Sequence, residues 1–116
     1  MNELINETVI SYNRYLNQII DGCNSIVNKI KTDNFTEALQ MILQFSEGVE
    51  WLAEVNEKLA HFGYQNQMSM EKNHEFLEQI NSGLEIQDFI LIADIFEYEI
   101  KPFFENCKPY EVPSNN

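Results

Sequence analysis

Paired carboxylates are the residues of this chain with the most chemical promise. Glu54 and Glu57 stand three positions apart, and Glu85 and Asp88 repeat that step after an interval of twenty-seven residues. On a helix such a step sets both carboxylates on one face. Hard oxygen donors in pairs suit Mg²⁺, and a bound ion can activate water for attack on phosphorus. Against this, the chain holds nineteen acidic residues, and Glu47 with Glu50 and Glu75 with Glu78 show the same spacing. Glu85 and Asp88 also suit the first turn of a helix, where the dipole favours negative charge whatever its role. No cluster of Lys or Arg lies nearby to neutralise a polyphosphate.

The layout of Glu54, Glu57, Glu85 and Asp88 is similar to the paired acidic motifs with which all-α nucleotide pyrophosphohydrolases hold magnesium around a triphosphate. That likeness implies a magnesium-dependent enzyme acting on nucleotides, the alternative to a non-enzymatic role. Glu71 and His74 match the Glu-x-x-His step of di-iron bundles. A complete site of that kind needs a second such pair and two further inward carboxylates. The other histidine, His61, instead has Glu57 four residues before it and Glu54 seven before. Cys23 and Cys107 are isolated from each other and from either histidine, which fits neither a zinc knuckle nor a redox pair. No Gly-x-Ser-x-Gly elbow is present. The expectation is no catalytic residue, no metal and no cofactor, with two free and mostly buried thiols.

Three single residues call for partners. Glu97 falls on the helical line of Ile86, Ile90, Ala93, Ile100 and Phe104, so its carboxylate needs a Tyr, a Lys or water at the bundle edge. Asn56 sits on an apolar seam, where a lone polar side chain sets helix register. Trp51 shares a stripe with Glu37, Gln44 and Lys58 that should face water. Either the tail or the last helix covers it, or it anchors a partner.

The elements that position these groups are helices. Ile5, Val9, Tyr12, Leu16, Ile19, Cys23, Ile26 and Ile30 alternate steps of four and three, which predicts one amphipathic helix from about Asn2 to Lys31. Asn34 followed by Glu37 reads as the start of a second helix. Its seam runs through Phe35, Ala38, Ile42, Phe45, Val49, Leu52, Asn56 and Leu59, with apolar residues on both flanks, so it is expected at the centre of the bundle. Gly48 within it suggests a close helix crossing, and Gly63 a stop. Ser69 caps a short third helix ending near Ser82, with Gly83 as its stop. A fourth, strongly apolar helix runs from about Glu85 to Cys107, and Pro102 should kink or end it near Lys101.

Length and composition set the frame. The chain has 116 residues, four Gly and three Pro, which fits one all-α domain over residues 1–107 and an extended or disordered tail over 108–116. A net charge of −12 repels phosphate backbones and anionic headgroups, so neither nucleic acid nor a membrane surface is an expected partner. The N-terminal residues lack a signal-peptide pattern, and the densest apolar run, Phe89 to Ala93, is too short to span a bilayer. A cytoplasmic location is expected.

The run from Asp94 to Glu105, with Phe96, Tyr98, Ile100, Pro102, Phe103 and Phe104, resembles the closing helix of an uncharacterised all-helical domain family of low-G+C Gram-positive bacteria. The resemblance implies a helical fold and a bacterial setting, and no activity. The expected architecture is a four-helix bundle of two long antiparallel helices, a short third helix and an apolar fourth. The two long helices each measure about 43 Å and the third only about 20 Å at 1.5 Å per residue. The turn joining the long helices should therefore be left uncovered. Ile20, Val27, Ile30, Phe35, Leu39, Ile42 and Leu43 would be open there, and with Trp51 they form the expected interaction surface. The function expected on these grounds is a small protein–protein interaction module that binds itself or another protein through an apolar helix face.

Overall fold

Val9, Tyr12, Leu16, Ile19, Cys23, Ile26 and Ile30 form one buried line along α1 (Asn2–Lys31), as their spacing requires. The computed structural model describes residues 2–65 and 68–111. Covering that line from one side is α2 (Phe35–Ala60); from the other comes the last helix, which falls into α4 (Phe89–Ile95), a π-helical stretch (Phe96–Ile100) and α5 (Lys101–Asn106). The hub of the fold is therefore α1 and not the second helix, part of whose apolar flank, Leu39 and Phe62, faces solvent. Between α2 and α4 comes α3 (Met70–Glu85), which packs against α4 and meets α2 only sparingly. No strand occurs among the described residues.

Ring contacts fix the directions. Phe35 stacks on Phe89 at 4.5 Å, Phe45 sets its ring edge-on to Phe96 and Phe104, and Asn56 reaches Tyr110. The last helix thus runs parallel to α2 and antiparallel to α1, giving an up-down-up-down bundle 51 Å long.

The turn between α1 and α2 holds Asp33 in the left-handed region, at φ 61°. Asn34 precedes α2, yet its Nδ2 donates to Thr32 Oγ1 at 3.0 Å and its side chain bonds no helix N–H. The expected reciprocal cap with Glu37 does not form, because Glu37 is drawn to Lys29 across the turn. Ser69 does cap α3, its Oγ accepting from the Lys72 N–H at 3.2 Å.

Two boundaries differ from those expected. Rather than stopping at Gly83, α3 continues to Glu85; the glycine is there because α4 crosses it, and an added Cβ would stand 2.7 Å from Ile92 Cγ1. The chain then turns through Gln87, at φ 55°, and Asp88 Oδ1 accepts the Leu91 N–H at 3.0 Å. The last helix begins at Phe89 in consequence.

Pro102 has no N–H to offer the Tyr98 carbonyl. The helix responds by widening, and the Lys101 N–H reaches back five residues to the Phe96 carbonyl before α5 resumes. The expected kink or stop is realised as this single wide turn.

Beyond α5 the described chain, residues 108–111, is extended but docked. Tyr110 is buried between the rings of Tyr12 and Tyr64, at centroid distances of 5.0 and 5.7 Å. Its N–H donates to Asn13 Oδ1 at 2.9 Å, and its carbonyl accepts from Asn13 Nδ2 at 2.8 Å. The domain therefore extends past residue 107 to include Tyr110; residues 112–116 lie outside the described residues. The Tyr110 hydroxyl donates to Asn56 Oδ1, and Asn56 Nδ2 donates to Tyr12 Oη at 3.2 Å. Asn56, fully buried, is thus the junction of three elements and not a lone polar residue on a seam.

Burial pushes the Tyr12 phenol up to about 12 from 10.0. It also carries the Cys23 thiol from 9.0 to about 12, with Lys101 opposing the shift slightly. Both groups are neutral when folded and ionise more readily when unfolded. Their contribution is fully present below pH 9 and is lost as pH rises from there towards 12. Urea midpoints should be flat from neutrality to about pH 8.5 and then fall, each group costing up to about 1.4 kcal/mol per pH unit; Cys23→Val should make the decline shallower. A second expectation concerns Gly83. Because Ile92 is fully buried and cannot retreat, Gly83→Ala should destabilise by about 1–3 kcal/mol in denaturant titration despite alanine's helix propensity.

Candidate interaction surface

The upper half of α2 presents Phe35, Leu39 and Leu43 at successive steps of four, on one exposed stripe. Leu43 is 62% exposed and Leu39 44%. Phe35 leans on the half-buried Phe89, so the stripe runs onto the start of α4, where Ile86 and Ile90 are also exposed. A fourth helix packed along α2 would cover this face; α3 lies instead against α4.

Against the expected surface, the structure divides the residues. Leu39 and Leu43 are open, but Val27, Ile30 and Ile42 are buried and Ile20 is half-buried. The end of the bundle is covered further than helix lengths suggested, for two reasons. The connection after α2 folds back until Met68 lies against Asn56, so α3 starts partway up the bundle, and α3 then runs on to Glu85. That carries Phe89 to the level of Phe35.

Trp51 is 37% exposed, and the ring packed against it comes from α1; residues 112–116 of the tail, expected as one possible cover, lie outside the described residues. Tyr15 of α1 stands against it edge-on, at 5.5 Å and 77°. Gly48 makes room for that tyrosine, since an added Cβ would fall on its hydroxyl and 2.6 Å from Cζ. Burial, and then the charge of Glu47, raise the Tyr15 phenol above its ordinary value. Beside the pair opens a shallow groove of about 520 Å³ between α1 and α2, lined also by Ser11, Arg14, Gln18 and Gln44. It brings together the chain's one arginine and one tryptophan, a meeting that spacing within either helix could not reveal.

The carboxylate pairs do not converge. Glu54, Glu57, Glu85 and Asp88 are all exposed, and Asp88 is occupied in capping α4. Among the described residues, no group of three or more His, Cys, Asp or Glu side chains could hold a metal ion. His74 Nε2 meets Glu78 Oε1 at 2.9 Å on the surface, one turn away from Glu71. Glu97 lies at the bundle edge, where Lys31 Nζ stands 3.3 Å from its Oε1. Burial lifts the half-buried Cys107 thiol to about 11, so neither cysteine offers a thiolate at neutral pH.

Charge is distributed in blocks. Residues 32–57 and 73–100, which between them carry the apolar stripe and the start of α4, hold thirteen carboxylates and no Lys or Arg. Lys29 and Lys31 reach the region from the end of α1, and each is already paired, with Glu37 and Glu97. Asp33, Glu85 and Asp88 lie within four residues of Phe35 or Phe89 in the sequence, and none of the three forms an ion pair among the described residues. None of the described helices is long and apolar enough to cross a membrane.

Fold and surface together define a small acidic all-helical domain with an incompletely covered second helix. The chain belongs to the family described as a domain of unknown function, DUF8042, whose model matches residues 7–110 and so ends on the tyrosine that closes the fold. No curated protein and no solved structure matches it.

The Gly48 contact can be tested optically. Gly48→Ala should push the half-exposed Tyr15 ring off Trp51 and shift the tryptophan emission, with stability within about 1 kcal/mol of the parent because alanine's propensity offsets the lost packing. An unchanged spectrum would contradict the close approach.

Proposed function

We propose that this domain is a protein-interaction module, whose α2 stripe of Phe35, Leu39 and Leu43 receives a helix of another polypeptide. The observation that carries this reading is the exposure of Leu39 and Leu43, one turn apart and continuous with the Phe35–Phe89 stack. Single exposed leucines are ordinary, but a contiguous stripe at helical spacing marks a surface that gains by being covered. An exposed apolar stripe at i, i+4 and i+8 is the pattern on which the apolar face of an amphipathic helix can lie. The likeness of the last helix to a family of Gram-positive bacteria supports a setting in the bacterial cytoplasm.

Position-specific photo-cross-linking in cells tests the module reading. With benzoylphenylalanine in place of Leu43, a discrete adduct with one polypeptide is expected. The same probe in place of Glu111, at the far end of the bundle, should give none. Adducts of equal pattern from both positions, or none from position 43, would remove the stripe from consideration.

A further inference from the structure

The charge around the stripe narrows the kind of partner it can accept. We propose that the occupant is a basic amphipathic helix, one that lays its apolar residues on Phe35, Leu39 and Leu43 and points Lys or Arg side chains at the carboxylates on either side. The inference rests on reading the stripe as a docking surface and specifies what docks. Its ground is complementarity. The two segments that frame the stripe carry thirteen carboxylates and no Lys or Arg; Lys29 and Lys31, which approach from α1, are each held by a carboxylate of their own, and Arg14 of α1 reaches only the groove beside Glu47. Glu47 and Glu50 continue α2 beyond Leu43, while Asp33, Glu85 and Asp88 lie within four residues of Phe35 or Phe89 in the sequence.

A second copy of the chain fits this surface badly. Apposing two such faces would bring carboxylate against carboxylate around a small apolar seam, and like charges across an interface are costly. A basic helix removes the same repulsion that each acidic segment now suffers. The apolar contact would supply most of the affinity, and the charges would supply the encounter rate and the choice of partner.

The test uses the full chain and two synthetic helical peptides with identical leucines at i, i+4 and i+8, their remaining positions rich in Lys and Arg in one and in Glu in the other. The basic peptide should bind at least about tenfold more tightly, and raising the salt from about 50 to 500 mM should weaken it several-fold by screening. Leu39→Glu with Leu43→Glu should weaken the basic peptide by about tenfold or more, even though both changes add negative charge. A peptide attracted by the acidic exterior alone would bind that variant better, which would overturn the proposal. Leu43→Ser, which changes no charge, gives a second reading of the same contact, and circular dichroism checks that each variant keeps its helices. Solution mass across a concentration series is measured on the chain alone, and a monomer is expected. A stable dimer that Leu43→Glu dissolves would overturn the basic-helix proposal while leaving the interaction module standing. Equal binding of the two peptides would do the same.

Discussion

Everything in this fold follows from the line of apolar side chains that runs the length of α1. Seven residues from Val9 to Ile30 are buried along it, and a line of that length needs two neighbours. One is α2; the last helix, entering antiparallel to α1, is the other. With those two in place α1 has no further face to offer, so α3 packs on the outside of α4 and leaves the outer face of α2 uncovered. The exposed stripe is thus a by-product of satisfying α1 first. It is also the property on which the functional reading rests.

Much of the helical layout was legible in the spacing of apolar residues. The first helix, the start of the second and the cap at Ser69 all fall where steps of three and four, or a hydroxyl before a helix, put them. Glycine was the ambiguous letter. Gly83 reads equally well as a helix stop or as a gap for a crossing chain, and only the position of Ile92 decides between them. Tyr110 was illegible for a different reason. It is one aromatic in a short proline-flanked segment, and its partners Asn13 and Tyr12 lie almost a hundred residues earlier. The surface was half legible: Leu39 and Leu43 are exposed as expected, whereas Val27, Ile30 and Ile42 are not. Arithmetic on helix lengths supposes that helices start level, and Met68, lying against Asn56, shows that α3 does not.

Polar groups inside the bundle are concentrated at the end away from the stripe. Asn56, Tyr12 and Tyr110 satisfy one another there, and the two bonds between the Asn13 side-chain amide and the Tyr110 backbone pin the closing segment to α1. Buried hydrogen bonds of this kind are costly to leave half-made, so that end tolerates few alternative packings. At the other end buried Val27, Ile30 and Ile42 form the interior, and the contacts at the surface are the stacked rings of Phe35 and Phe89 and two ion pairs. Such contacts shift with little penalty.

The wide turn from Phe96 to Ile100 ties two features of the sequence together. A π-helical turn holds one residue more than the α-helix it interrupts, so it amounts to a single-residue insertion placed just before Pro102. Returning the segment to α-helical pitch with every residue kept would swing all that follows by about 100° about the helix axis. Phe103 would leave Phe76, Phe104 would leave Phe45, and Tyr110 would no longer reach Asn56. The proline and the extra residue are therefore a matched pair.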